Sequence, residues 1–133
     1  MAKFGAHQRA LYDAEMAIED RGRRFRSIEE TQAWLDDVLN RQDIEEDVIV
    51  KRSPTNGSCA SREERVIVLC TRDRNAVAVC HELAHVLSPA TAQAHGVEFA
   101  RIYLDLLRTE VGFFEYAELR NALRADPAFE EIA

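Results

Sequence analysis

The sequence predicts an α+β fold in which a short twisted β-sheet packs on helices. Three observations predict it. Two β-branched runs stand close together mid-chain: Val48, Ile49 and Val50, then Val66–Leu69. Apolar residues recur at spacings of three and four on both sides of these runs, the period of a helix with one buried face. One helical segment, Ala76–Leu87, is apolar around most of its circumference and belongs in the interior.

Each element follows in order. In residues 6–20, Leu11, Ala14, Ala17 and Ile18 keep helical spacing, and Gly22 is the expected stop. Ser27 followed by Glu30 is a capping box, which predicts a helix with Ile28, Trp34, Leu35, Val38 and Leu39 on one face and an end near Arg41. The two β-branched runs predict an antiparallel pair of strands, with Ser53-Pro54-Thr55-Asn56-Gly57-Ser58 as the turn-rich loop between them. A third strand is expected near residues 58–61. Asn75 opens the buried helix, and Ser88-Pro89 closes it because proline disfavours helix in the residue before it. A further helix is expected from near His95 to Glu110, with Phe99, Ile102, Tyr103, Leu106 and Leu107 as its stripe. Gly112 separates it from a last helix over residues 113–123, stopped at Asp126-Pro127. The whole reads as one domain: helices over 1–45, a small sheet over 46–72, metal-binding helices over 75–111 and a C-terminal helix over 113–125.

Bulk properties narrow the function. The chain has 133 residues, 47% of them apolar, which is enough for a core in one domain. Its formal charge of −7 opposes phosphate backbones, so nucleic acid is not the expected partner. Arg21, Arg23, Arg24 and Arg26 crowd one connection and read as a solvated turn. No apolar run approaches the roughly 18 residues of a membrane span. The first residues lack a signal peptide's apolar stretch, which predicts a cytoplasmic protein. Three cysteines without paired spacing predict neither a disulfide framework nor a zinc ribbon.

The chemistry is concentrated in His81-Glu82-Leu83-Ala84-His85, an HExxH motif. Residues four apart share one helix face, so both imidazoles reach one cation. Glu82 points beside that pair, where it can accept a proton from water at the cation without binding the cation. Such a site takes a third protein ligand and leaves a position open. Ser88 and Thr91 stand where the metzincin pattern needs glycine and histidine, and no methionine follows the motif. His95 is the preferred third ligand: after a short loop, the next helix would present its first turn to the metal. Glu98 is the alternative, and Glu110, Glu115 and Glu118 are weaker ones. Three imidazoles favour Zn2+ among divalent ions.

The motif followed by His95-Gly96-Val97-Glu98-Phe99 resembles the HExxH…HGxxF pattern of SprT-like zincins. It is closer still to a family of small metallohydrolases from actinobacteria and their phages, with a similar HELAH helix and a continuation like Tyr103-Leu104-Asp105-Leu106. The resemblance covers roughly residues 66–123. It implies a zincin-like minimal metallopeptidase domain, with His81, His85 and His95 on zinc and Glu82 catalytic. Val97 replaces a frequent proline, and the zinc ribbon of longer SprT-like members is missing, which weakens any DNA-linked protease role.

Lesser candidates carry plainer expectations. Tyr103 and Cys80 read as core, Asp105 and His7 as surface, and Tyr116 as core or surface, although either tyrosine has the hydroxyl an oxyanion needs. Val66–Leu69 is a candidate edge strand for an extended peptide. The expected function is zinc-dependent hydrolysis of peptide bonds in a peptide or protein substrate. The competing expectations are a non-catalytic zinc module that recognises a protein partner, and a hydrolase of a non-peptide amide or ester. Oligomeric state has no sequence signal.

Overall fold

The computed structural model describes residues 6–19, 23–90 and 95–129. The expectations for Gly22, Arg21 and the side chain of His7 lie outside the described residues. The element order is α+β: α1 (Ala6–Met16), α2 (Ile28–Arg41), β1 (Ile49–Arg52), β2 (Cys59–Ser61), β3 (Val66–Leu69), α3 (Ala76–Leu87), α4 (Val97–Leu106) and α5 (Phe113–Arg124). The chain divides into two compact units, residues 23–87 and residues 1–22 with 88–133. The two N-terminal helices therefore part company: α1 belongs with α4 and α5, α2 with the sheet. Among the described residues, no helix is long and apolar enough to cross a membrane.

In the unit of residues 23–87, α2 begins with the Ser27 half of its capping box, while the Glu30 carboxylate turns to Arg23 at 3.8 Å. The Glu30 amide donates to Ser27 Oγ at 3.1 Å, and the Thr31 hydroxyl donates to the Ser27 carbonyl at 2.8 Å. Leu35, Val38 and Leu39 form its buried stripe. Its end lacks a glycine and is still well built. Asp43 takes the left-handed conformation, φ 57°. This lets the Ile44 amide reach the Leu39 carbonyl at 2.9 Å and the Asp43 amide reach the Asn40 carbonyl at 3.2 Å. These are the two bonds of a Schellman cap, with aspartate in the usual place of glycine.

The sheet has the order β1-β3-β2. The third strand expected near residues 58–61 is present as β2. The expected antiparallel pairing of the two β-branched runs is corrected: β1 and β3 are parallel, with Ile49 opposite Val66 and Arg52 opposite Leu69. The reason is that β2 intervenes in the chain. The loop after β1 reverses direction once, and the turn at Arg62 to Arg65, with Arg65 at φ 55°, reverses it again. β3 therefore runs the way β1 does, and β2 pairs antiparallel on its other side. β3 is consequently the central strand, so its reading as a peptide-binding edge fails.

The outer edge of β1 is occupied by a side chain. Gln32 on α2 donates from Nε2 to the Val48 carbonyl at 2.9 Å, and its Oε1 accepts from the Val50 amide at 2.7 Å. The amide thus does for β1 what a neighbouring strand would do. Helix α2 packs on β1, and α3 packs on β2 and β3. Val50, Ile67, Leu69, Val77, Val79 and Leu83 are among the core residues between them.

In the unit of residues 1–22 and 88–133, α5 packs against α1 and α4. Leu11, Ile18, Phe99, Tyr103, Leu119 and Leu123 are fully buried there. The Tyr103 hydroxyl donates to Glu15 on α1 at 2.9 Å. The expected helix to Glu110 is continuous, but its last turn, Leu107–Val111, widens to π geometry and closes when the Gly112 amide reaches the Leu107 carbonyl at 2.9 Å.

Candidate metal centre

Helix α3 starts where the sequence places it, because Asn75 caps it: the Ala78 amide donates to Asn75 Oδ1 at 2.8 Å. The helix buries residues 76–80, 82–84 and 86. His81 and His85 are half-buried on the one stripe it does not bury completely, with ring centroids 5.1 Å apart and ring planes at 59°. Glu82, next to them, is only 9% exposed. A carboxylate held out of water inside an apolar helix costs free energy that burial alone does not return.

His95 lies just before α4, whose first residue is Val97. Its φ is 58°, in the left-handed region that L residues adopt at a cost of about 1–2 kcal/mol. Strain of this kind persists where the surroundings over-determine a residue, and it concentrates at functional positions. The His95 ring stands edge-on to Phe99 of α4, with centroids 5.1 Å apart and planes at 87°.

His81, His85 and His95 each offer a ring nitrogen, and these nitrogens all lie within 4.8 Å of one another. They are the group of potential metal ligands found among the described residues. Nitrogens sharing one tetrahedral zinc stand about 3.4 Å apart. Three imidazole nitrogens within 4.8 Å are a donor set that suits a metal preferring imidazole. Glu98, the alternative third ligand, is exposed and outside the group; Glu110, Glu115 and Glu118 are half-buried and outside it too.

The lesser candidates fall as their plainer readings have it. Cys80 is fully buried. Tyr103 is buried and its hydroxyl is committed to Glu15. Asp105 is exposed and pairs with Arg108. Tyr116 is half-buried, with its ring 5.7 Å from that of Phe113. No sequence signal marks the left-handed backbone at His95, since histidine adopts that region only occasionally.

Comparisons of the chain with protein-family models, with curated proteins and with solved structures return no match.

Proposed function

We propose that the protein is a zinc-dependent hydrolase acting on peptide bonds, with His81, His85 and His95 as metal ligands and Glu82 as general base. The observation that carries this reading is the convergence of three imidazole nitrogens within 4.8 Å, beside a buried glutamate one position from the first histidine. A zinc ion held by three imidazoles supplies Lewis acidity and brings the pKa of water near 7.

The chain's own residues supply the remainder. Glu82 accepts the proton of the attacking water and delivers it to the departing amine. Its burial keeps competing solvent away from that carboxylate. The edge contact with Phe99 and the fixed backbone at residue 95 limit the third imidazole to a narrow set of positions, which is what a preorganised ligand requires. The resemblance to small HExxH…HGxxF metallohydrolases supports the same assignment of roles.

The test is elemental analysis of protein purified without added metal, paired with hydrolysis of an unstructured protein such as casein. About one zinc per wild-type chain, reduced in His95→Ala, is the expected result. Glu82→Gln is expected to keep its zinc and lose about 10²–10⁴-fold in hydrolysis, the usual worth of a general base. A Glu82→Gln variant as active as the wild type would remove the base from the mechanism. A wild type that takes up no zinc when offered it would end the metal reading.

A further inference from the structure

The arginine-rich connection before α2 takes no part in the metal centre, yet in the unit of residues 23–87 it meets a second basic stretch. The Phe25 amide donates to the Arg74 carbonyl at 2.8 Å, and the Ala76 amide donates to the Arg23 carbonyl at 2.7 Å. The Arg24 guanidinium donates to the carbonyls of Arg72 and Thr71 at 3.1 and 3.3 Å. Arg23, Arg24, Arg26, Arg72 and Arg74 are thereby gathered where the chain enters α3. Strand β1 ends at the same place, because Arg52 pairs with Leu69 and the Ser53 amide reaches the Leu69 carbonyl at 2.8 Å. That brings the end of β1 to the patch, with Lys51 and Arg52 on its opposite faces.

Carboxylates offset part of this charge. Arg23 lies 3.8 Å from Glu30, and Arg72 lies 3.6 Å from Asp73. The side chains of Arg23 and Arg72 are nevertheless 61% and 76% exposed. Arg26, Lys51 and Arg52 are exposed and pair with no carboxylate among the described residues. Carboxylates collect instead beyond the end of α2, at Asp43, Glu45, Glu46 and Asp47. The unit therefore has an arginine-rich end, where Glu29, Glu30 and Asp73 offset part of the charge, in a chain of net charge −7.

We propose that this cationic end selects acidic polypeptide segments as substrates of the metal centre, an inference that rests on the peptidase reading above. Strand β2 is antiparallel to β3, so its Cys59 end lies at the cationic end of the sheet. Its outer side carries no strand partner among the described residues, unlike the side of β1 that Gln32 fills. An extended chain laid along β2 would gain backbone hydrogen bonds there and meet the arginines at one end. Glu82 is seven residues beyond Asn75 on α3, about 10 Å along the helix axis. An extended peptide covers that distance in about three residues. The preferred acidic side chains therefore sit about three positions from the bond that is cut.

The observations favour a polypeptide over a nucleic acid. None of the strongly exposed large apolar residues among the described ones lies on the patch, and Trp34, whose ring is 5.4 Å from that of Phe25, is half-buried, so no fully exposed ring offers bases a stacking platform. Phe25, beneath the Arg23 guanidinium at 5.3 Å, is only 3% exposed.

The test is fluorescence anisotropy at low salt with a labelled twelve-residue peptide alternating Glu and Ser, a matching Lys/Ser peptide and a labelled twelve-residue oligothymidylate. Wild type, Glu82→Gln and the surface double variant Arg26→Glu/Arg72→Glu are compared, with circular dichroism to confirm folding and Arg52→Glu as an independent second variant. Wild type and Glu82→Gln are expected to bind the acidic peptide alike, and the double variant about tenfold more weakly, given the modest worth of each exposed charge pair. Added salt should erase the difference. Equal binding of the acidic and basic peptides, or an unchanged affinity in the arginine variants, would overturn the inference. Preferential binding of the oligothymidylate through the same arginines would also overturn it, in favour of nucleic acid. Binding that depends on the arginines without cleavage by the wild type would uphold acidic recognition and count against the peptidase reading alone.

Discussion

His95 offers a perturbation that separates its two roles. Replacement by alanine or by glycine removes the imidazole in either case, but the two differ at the backbone. Alanine keeps a Cβ at φ 58° and so keeps a left-handed penalty of about 1–2 kcal/mol, whereas glycine escapes it. Both lose the edge contact with Phe99, worth about 0.5–1.5 kcal/mol. Glycine gives back up to about 1 kcal/mol through the greater freedom of its unfolded chain. In chelator, His95→Gly is therefore expected to be the more stable of the two by about 0.5–1 kcal/mol, or roughly 2–4 °C in Tm for a chain of this size. Zinc should lift the wild type above both variants. Free zinc at a hundred times its Kd stabilises a binding-competent fold by about 2.7 kcal/mol, and both variants should forfeit most of that. Thermal unfolding of the three proteins in chelator and in zinc reads both effects at once. A glycine variant no more stable than the alanine variant would show that the backbone stores no strain. An alanine variant that keeps the full zinc-dependent rise would show that His95 is not a ligand.

Further outcomes follow from the same framework. Gln32→Ala removes both hydrogen bonds that close the β1 edge and should cost about 1–3 kcal/mol in chemical denaturation; a loss under half a kcal/mol would mean that water replaces the amide at no penalty. Asp43→Gly places the usual residue in the Schellman cap and should leave stability level or raise it by up to about 1 kcal/mol, while a clear loss would argue for a specific role of the carboxylate. Imidazole binds metal only when neutral, so the zinc-dependent rise in Tm should shrink as the pH falls and persist as it rises. A rise that survives acidification undiminished would point to ligands other than histidine.

Much of the unit that carries His81, Glu82 and His85 was legible because its signals are local. Ser27 with Glu30, and Asn75 before an apolar segment, each announce a helix within one turn of chain, and both helices start there, with the Ser27 and Asn75 side chains accepting from the Glu30 and Ala78 amides. The HExxH spacing likewise needs only helical geometry to place two imidazoles on one face. What escaped depends on distant parts of the chain. Strand direction is not encoded in the β-branched runs; it follows from where β2 lies, and β2 is three residues long. Nothing in Gln32 itself distinguishes a solvated glutamine from one that pairs with a sheet edge sixteen residues away. The left-handed backbone at Asp43, Arg65 and His95 was equally hidden, since none of the three is the glycine by which such positions are usually recognised.

The Gln32 clasp also bears on self-assembly. Fibril growth needs a sheet that can recruit a fresh chain on two opposite sides, one to join the stack and one to extend it. In the sheet of residues 23–87 one side is already taken by the glutamine amide, which satisfies the Val48 carbonyl and the Val50 amide without offering any continuation. Pairing through β2 would then end at two copies. The same amide that fastens α2 to the sheet thus acts as a chain terminator for strand-to-strand polymerisation.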